Sequence, residues 1–449
     1  MKCVQVAGSK IVSITVTLAA LSLSSFPLFS CKKALTPIAE PSPSLVPVAG
    51  PLTPTAKAPA RPPPTYREVR GVWLTNVDST VLESAESIDK AFARLAKLGF
   101  TTVYPVVWNK GYTLFPSHVA QSAFGVAAMP GTNYATPGRD MLRDCVTSAR
   151  KHGLEVIPWF ESGLKIPANH PLVSKKPSWF TKAEDGSMFR DDIIKWAYLN
   201  PSIPEVRRFV LDLLGDAVTR YEVGGIHLDD HFSLYYKFGY DNANASMFAS
   251  SLGSAAQSPK QELAKDPVQS LPKADSNDSA WIKSRAGVLT ELMVQVAEEI
   301  RAKRAGTIIS VSSNAYPWSL QNYMQDWPTW MRRGAIDEFV LQNYHAEFER
   351  FSRDEASLNA QLLQVPNRPY AVMGILSGLR SKRVTMTEVR RRIESSRRSG
   401  LGVAFFFYET LFDLGAPYET PEMRENIFAQ LFAQSSFARR QPSQTVPQP

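Results

Sequence analysis

The chain has only three cysteines among its 449 residues, Cys3, Cys31 and Cys145, which excludes an extensive disulfide framework. It also lacks a zinc-finger spacing, a glycine-rich phosphate loop and the aromatic and basic motif of RNA-binding modules. The net charge is +8, but the basic residues are spread along the sequence, apart from two short arginine clusters at 390–392 and 397–398. We therefore expect no nucleic-acid partner and read the clusters as a solvated helix face.

An apolar run without charge lies at the N-terminus between residues 11 and 29, after Lys2 and Lys10. It ends in Leu28-Phe29-Ser30-Cys31, which resembles the lipobox of bacterial lipoproteins. We predict a signal peptide with a lipobox at 1–31, lipidation of Cys31 and export to the cell envelope, where the lipid anchors the protein in a membrane. A plain cleaved signal or an uncleaved anchor helix stays open, because the run approaches the ~18 residues that span a bilayer.

Proline is concentrated after this segment, with ten prolines between residues 34 and 65. Such a composition is typical of a semi-extended spacer. We predict a disordered proline-rich linker at 32–66, a folded domain at 67–433 and a disordered polar tail at 434–449. A lipid anchor followed by this linker would hold the folded domain within reach of an extended envelope polymer.

Strand-like apolar runs alternate with helical patterns through the predicted domain. Eight such pairs indicate an α/β fold of the (β/α)8 TIM-barrel type, with long loops after strands 2 to 4 and the polar segment 235–277 bordering a cleft. A doubly wound sheet is the alternative, but it would need a nucleotide-binding fingerprint that the sequence lacks. The predicted strands are 71–76, 102–108, 155–160, 225–229, 307–312, 338–344, 370–376 and 402–408, and the predicted helices are 87–98, 139–152, 203–221, 279–305, 324–333, 355–363, 385–399 and 420–433.

The fourth predicted strand ends in an unusual group of polar residues. In the run from Gly225 to Phe232, alternation along the strand directs His227 and Asp229 to one face, while Asp230 and His231 follow where the strand becomes a loop. Two adjacent carboxylates destabilise the folded state unless they serve a function or have hydrogen-bonding or ionic partners. The structural alternative is that Asp230 caps the next element and Asp229 forms an ion pair.

The other predicted strand ends carry aromatic, amide and acidic residues. This mixture suits a sugar polymer, since aromatic faces pack on the apolar faces of sugar rings and amides or carboxylates bind hydroxyls. The alternative for any single tryptophan is barrel core. The predicted substrate-binding residues are Trp73, Asn76, Trp108, Trp159, His227, His231, Asn314, Gln342, Tyr344 and Glu409.

Glycoside hydrolysis usually needs two carboxyl groups, and the candidates are Asp229, Glu161 and Asp230. We predict Asp229 as the nucleophile or charge stabiliser. Glu161 is the predicted acid/base, because it follows Pro158-Trp159-Phe160, an apolar setting that would raise its pKa. Glu409 is a substitute acid.

Five motifs in order resemble the glycosyl hydrolase-like family ten, over about 67–433: Arg70-Gly71-Val72-Trp73-Leu74-Thr75, Pro158-Trp159-Phe160-Glu161, the run 199–206, the run 225–232 and Leu341-Gln342-Asn343-Tyr344. These bacterial envelope proteins include a lipoprotein that cleaves peptide-free peptidoglycan strands. The resemblance implies a TIM barrel related to retaining glycosidases of the α-amylase type. It places Asp229 at the nucleophile position and His227 at that of an inward arginine.

Two positions depart from that pattern. The α-amylase type has its acid at the end of strand five, where this chain has Ser313-Asn314-Ala315, and His227 replaces the arginine. We expect a glycosidase of peptidoglycan glycan strands that uses no metal and no organic cofactor. Two alternatives remain open. One is a metal-dependent hydrolase that uses His227, Asp229, Asp230 and His231 as ligands, and the other is a non-catalytic glycan-binding lipoprotein.

Overall fold

The structure is a computed structural model, and it describes residues 68–190, 195–252 and 267–433. The predicted signal peptide, Cys31, the proline-rich linker and the polar tail lie outside these residues. The described residues all fall within one unit, which extends from residue 61 to residue 449.

The chain forms a parallel β-barrel. Its strands are buried on both faces, which is why their sequences are nearly continuous apolar runs rather than alternating ones. We number the barrel strands β1 to β8 in chain order. They span Arg70–Leu74, Thr102–Pro105, the pair Glu155–Val156 and Trp159–Phe160 that together form β3, Gly225–Leu228, Ile308–Ser313, Glu338–Asn343, Tyr370–Leu376 and Gly402–Phe406.

Strand β3 closes the barrel. Its first part pairs with β2 and its second part with β4, so the hydrogen-bonded order runs 3-2-1-8-7-6-5-4-3. Between the two parts, the amide of Ile157 donates to the carbonyl of Val103 at 3.0 Å, and the carbonyl of Pro158 accepts from the amide of His227 at 2.8 Å. Pro158 has no amide hydrogen, which accounts for the break in the ladder. The predicted TIM barrel is confirmed.

Helices follow the barrel strands and cover the outside. Side-chain caps fix where several of them begin: Ser84, Asp140 and Asp278 each accept a hydrogen bond from a backbone amide of the first turn. The helices are Ala85–Lys97, His118–Phe124, Met141–His152, Pro171–Lys175, Pro204–Arg220, Asn242–Ser251, Ser279–Lys303, Trp318–Tyr323, Trp327–Arg332, Phe348–Leu363, Met386–Arg398, Tyr408–Leu411 and Pro421–Ala433.

Two helices differ from the sequence prediction. The helix expected at 355–363 begins earlier, at Phe348, and Phe351 buries its side chain in the core. The helix expected at 324–333 is shorter, because Asp326 caps a helix that starts at Trp327. A separate short helix, Trp318–Tyr323, precedes it and was not predicted.

The loops after β2, β3 and β4 are long, as predicted. They carry antiparallel hairpins at Trp108–Asn109 with Tyr112–Thr113 and at Lys165–Pro167 with Trp196–Tyr198. The segment predicted to border the cleft contains the helix Asn242–Ser251 and the 3₁₀ turns Pro267–Ser270 and Ala274–Ser276. Within the described ranges, no helix is both long and apolar enough to cross a membrane.

Candidate active site

Three acidic side chains gather at the carboxyl end of the barrel. Glu161 follows β3, and Asp229 and Asp230 follow β4, which is the neighbouring strand. Because parallel strands end at the same side of a barrel, these residues share one site. We call Glu161, Asp229 and Asp230 the carboxyl cluster.

Asp229 is buried and held by neutral donors. Its Oδ1 accepts a hydrogen bond from the Ser312 hydroxyl at 2.9 Å and another from the Gln342 amide at 2.6 Å. Burial raises the pKa of Asp229 well above its ordinary value, and the charges of Asp230 and Glu161 raise it further. Asp230 is more open, and its Oδ2 accepts from the Asn314 amide at 3.1 Å. The predicted residues Asn314 and Gln342 therefore contact the cluster directly.

Glu161 has the properties of an acid that keeps its proton near neutral pH. Burial raises its pKa to about 7, against the opposing charges of Lys165 and Lys110, and the charge of Asp230 adds to the increase. Its Oε2 is buried and has no hydrogen-bond partner among the described residues. A buried carboxyl oxygen without a partner is costly in a purely structural role, which favours a functional one.

His231 fixes the end of β3 against the end of β4. Its Nδ1 lies 3.0 Å from the carbonyl oxygen of Glu161 and donates to it, and its own carbonyl accepts from the amide of Leu164 at 2.9 Å. Burial, together with the charge of Lys165, lowers the pKa of His231 to about 4, so the ring is neutral near pH 7. Its ring nitrogens lie 3.9 Å from carboxylate oxygens of Asp229 and Asp230.

Gly163 permits this close approach of the two loops. Its φ is +50°, and a Cβ added there would lie 2.2 Å from the backbone carbon of His231. A side chain at this position would collide with backbone, which cannot move aside as a flexible side chain would. Gly163 therefore allows the loop that carries Glu161 to pack directly against the backbone of His231.

His227 lies deeper in the barrel, one inward position below Asp229. The Trp73 indole can only donate, so His227 accepts at Nε2 (3.1 Å) and donates from Nδ1 to the Ser310 hydroxyl (2.7 Å). Ser310 and Tyr104 then donate to Oε1 of Glu338 at 2.6 and 2.9 Å. We call these five residues the buried polar chain.

The buried polar chain is fully enclosed. Burial lowers the pKa of His227 to about 3 and raises that of Glu338 to about 7. His227 has no exposed surface. The structure therefore places this predicted substrate-binding residue in the barrel core, without any exposed surface.

The three predicted tryptophans are also buried. Trp73, Trp108 and Trp159 are 1%, 1% and 3% exposed. Trp73 packs against Tyr104, Trp159 and Phe406 inside the barrel. Trp108 points toward the outer helices, where it contacts Phe209, and its indole donates to the carbonyl of Gly163. None of these three rings presents an open face to a sugar. Their burial agrees with the alternative that each tryptophan belongs to the barrel core.

Other aromatic residues reach the site. Phe406 and Tyr344 are half-buried and pack at 5.7 Å. Burial raises the pKa of Tyr344 well above its ordinary value, and the charges of Asp229 and Asp230 add to the increase. The charge of Asp230 likewise contributes to the raised pKa of Tyr323. Tyr344 was predicted, whereas Tyr323 and the donor Ser312 were not, although Ser312 alternates with Ser310 on the inward face of β5.

Two predicted residues lie in contacts apart from the cluster. The Asn76 side chain accepts a hydrogen bond from Asn109 at 2.7 Å. Glu409 accepts from the Ser79 hydroxyl, and burial raises its pKa to about 7. Its Oε2 is buried and has no partner among the described residues, but the charges that act on it come from Asp413 and Arg380 rather than from the cluster.

Asp229, Asp230 and His231 have side chains close enough together to hold a metal ion. One ligand atom from each lies within 4.8 Å of the others. The Nδ1 of His231 already donates to the carbonyl of Glu161, which leaves Nε2 as its ligand atom. The three residues thus offer one nitrogen and two carboxylates.

A separate cavity of about 1210 Å³ lies between the loops that follow β3 and β4. Its lining includes Phe180, Lys182, Tyr240, Asp241 and Gln269 but none of the carboxyl cluster. This cavity is therefore separate from the carboxyl cluster.

Comparison with known proteins gives consistent matches. A family model described as "Glycosyl hydrolase-like 10" matches residues 68–393. Glycosyl hydrolase DigH of Escherichia coli (strain K12) is 28% identical over 231 residues, which cover 46% of this chain and 49% of DigH. Glycosyl hydrolase YngK of Bacillus subtilis (strain 168) is 25% identical over 302 residues, which cover 62% of this chain and 49% of YngK. The chain thus spans about half the length of the curated relatives it matches.

The fold is similar to that of solved glycoside hydrolases. The PgaB (BpsB) glycoside hydrolase domain from Bordetella bronchiseptica aligns with a TM-score of 0.58 and 12% sequence identity, covering 81% of this chain and 99% of that domain. At this identity the likeness concerns the fold alone.

Proposed function

Because the chain belongs to the glycosyl hydrolase-like 10 family, we propose that it hydrolyses O-glycosyl bonds of an envelope polysaccharide, the glycan strands of peptidoglycan. The observation that carries the catalytic part is Glu161. The pKa of its carboxyl group is about 7, and its buried Oε2 has no hydrogen-bond partner among the described residues. It lies in one cluster with Asp229 and Asp230.

In the proposed reaction, Glu161 donates its proton to the leaving glycosidic oxygen. A carboxyl group whose pKa lies near the working pH is suited to this task, since it is protonated in a large fraction of molecules and still releases its proton. Once the bond has broken, the ionised Glu161 takes a proton from the attacking water. The same residue thus serves as acid and then as base.

Asp229 stabilises the positive charge that develops on the sugar, as a nucleophile or as a charge stabiliser. Both hydrogen bonds from Ser312 and Gln342 go to Oδ1 and favour the ionised form, which opposes the increase in pKa caused by burial and by the charges of Asp230 and Glu161.

The choice of substrate rests on the site and on the N-terminal sequence together. Half-buried aromatic rings, amides and carboxyl groups around the carboxyl cluster suit a polysaccharide. The lipobox-like segment and the proline-rich segment suit a protein tethered near the cell wall, and the motif resemblance includes an enzyme of peptide-free peptidoglycan strands. We propose that Cys31 carries the lipid; metabolic labelling with palmitate should mark the wild type, and Cys31→Ala should lose the label.

A metal-dependent hydrolase is the second candidate, because Asp229, Asp230 and His231 bring three ligand atoms within 4.8 Å. Metal analysis of the purified protein tests it. A stoichiometric transition metal, together with activity that is lost on chelation and restored by that metal, would replace the glycosidase mechanism given above. We expect full activity after chelation.

The decisive experiment is mass spectrometry of products released from peptide-free peptidoglycan strands by the full-length protein and by Asp229→Asn. We expect the wild type to release fragments whose masses identify the bond, and Asp229→Asn to release none while it unfolds at the same temperature. Binding without release by both proteins would instead support a non-catalytic glycan-binding role. A panel of other polysaccharides would show whether another glycan is the substrate.

A further inference from the structure

Partly exposed aromatic side chains from the loops after β4 and β5 pack against one another. Tyr323 packs against Trp318 at 5.3 Å and against Tyr235 at 6.1 Å, and Tyr235 packs against Tyr236 at 4.7 Å. Trp318 is 37% exposed, and the three tyrosines are half-buried. We call these four residues the aromatic strip.

The aromatic strip is built by two loops that are tied to each other. Tyr235 and Tyr236 belong to the loop after β4, and Trp318 and Tyr323 are the ends of the short helix after β5. The amide of Leu234 donates to the carbonyl of Tyr323 at 3.2 Å, and the amide of Tyr236 donates to that of Asn322 at 2.9 Å. These backbone bonds hold the rings in place without a ligand, so little ordering is needed when one binds.

Tyr323 belongs to a segment that is held against the carboxyl cluster. Gln325, two residues after Tyr323, donates from Nε2 to the backbone carbonyls of Asp229 at 3.3 Å and of Phe232 at 3.1 Å. Burial raises the pKa of Tyr323 to about 12, and the charge of Asp230 contributes to the increase. Arg190 hydrogen-bonds to Tyr323, and its guanidinium lies 4.1 Å from the ring centre of Tyr235. A ligand that is attacked at the cluster would therefore meet the strip with its next units.

We propose that the aromatic strip is a binding subsite for sugar units beyond the cleaved bond, with Trp318 as its outer platform, so that the enzyme selects long glycan chains over short ones. The inference rests on the proposed function for the identity of the polymer. Tyrosine and tryptophan suit this occupant because their faces pack on the apolar faces of sugar rings while the hydroxyl or indole N–H binds sugar oxygens. A protein partner would not account for the continuity between the strip and the carboxyl cluster.

Equilibrium binding tests the subsite without relying on turnover. The probes are purified peptide-free peptidoglycan fragments of two and eight sugars, and the protein is full-length Asp229→Asn with and without Trp318→Ala. We expect the longer fragment to bind more tightly, and Trp318→Ala to weaken its binding about two- to tenfold while the two-sugar fragment is unaffected. Trp318→Phe should restore most of the difference.

Tyr418→Ala is the matched control, because Tyr418 is 71% exposed, comes after β8 and has no ring contact with the strip. It should bind both fragments like its parent. Equal loss for both fragments in Trp318→Ala, or an unchanged preference for the longer one, would overturn the subsite, as would the absence of any length preference. If the fragments bind with this preference but the protein with Asp229 intact releases no product, the subsite stands and the proposed hydrolysis fails.

Discussion

The carboxyl cluster and the buried polar chain come within two residues of each other along β4 and β5. His227 and Ser310 hold the lower position on β4 and β5, and Asp229 and Ser312 hold the position above. Both regions contain a glutamate whose pKa burial raises to about 7, Glu338 in the chain and Glu161 in the cluster. Burial and a shifted pKa therefore do not distinguish them.

The difference lies in hydrogen bonding. Oε1 of Glu338 accepts from both Ser310 and Tyr104, and the donors run from Trp73 through His227 to Ser310 without a break. In the cluster, Oε2 of Glu161 is buried without a partner among the described residues. A satisfied network stabilises a fold, whereas an open acceptor or donor is available to a ligand. A perturbed pKa indicates function when it occurs with such an open group beside further reactive side chains, which holds for Glu161 next to Asp229 and Asp230 and not for Glu409.

The largest expected effect follows from removing the open acid. Glu161→Gln keeps the shape of the side chain but cannot donate a carboxyl proton, so turnover of the glycan should fall about 10²- to 10⁴-fold. An aryl glycoside with a good leaving group needs little protonation and should lose much less. Steady-state kinetics with both substrates measure this difference.

Glu338→Gln is the matched control for that experiment, because it removes the other glutamate with a raised pKa. We expect its turnover to stay within a few fold of the wild type. Equal losses of activity in the two variants would mean that the cluster and the chain act as one unit, and the distinction drawn from their hydrogen bonding would be wrong.

The second effect is on stability and depends on pH. Glu338 has a pKa of about 7 in the folded protein, against an ordinary value of 4.5. Between these two values the unfolded chain has lost the proton that the folded protein still holds, so the free energy of unfolding falls as pH rises from about 4.5 to about 7. Below that window the contribution is fully present.

Glu338→Gln removes this pH dependence. Relative to the wild type, its free energy of unfolding should gain on the order of 1–3 kcal/mol between pH 4 and pH 8. Urea unfolding at the two pH values measures the change. Glu347→Gln, at an exposed position paired only loosely with Arg350, serves as the control and should show no such gain. An identical pH profile in Glu338→Gln and the wild type would show that Glu338 is ionised in the folded protein.

Strand alternation was enough to predict the barrel and to bring Asp229, Asp230 and Glu161 to one end, because parallel strands end together. It also placed His227 inward, but inward position alone does not say how deep a residue lies. Trp73 appeared to be a ligand platform, yet Phe406 from β8 packs on it, a contact between residues 333 positions apart in the sequence. Tyr323 and Trp318 were missed because their short helix is positioned by contacts with another loop rather than by its own periodicity.

The smallest expected effect comes from the two serines, which differ only in the region they serve. Ser312→Ala removes one of two donors to Oδ1 of Asp229, so the ionised form is less favoured and turnover should fall about tenfold, corresponding to about 1.4 kcal/mol. Ser310→Ala breaks the buried polar chain between His227 and Glu338, so it should lower the free energy of unfolding by about 1–3 kcal/mol and leave turnover nearly unchanged.

Measured together by steady-state kinetics and urea unfolding, the two serine variants separate a donor that serves chemistry from one that serves the fold. We expect Ser312→Ala to retain most of the wild-type stability, since Gln342 still donates to Asp229. If Ser310→Ala lost as much turnover as Ser312→Ala at full folding, the buried polar chain would be transmitting its hydrogen bonding to Asp229. The two inward positions of β4 and β5 would then form a single catalytic network rather than a core with a site above it.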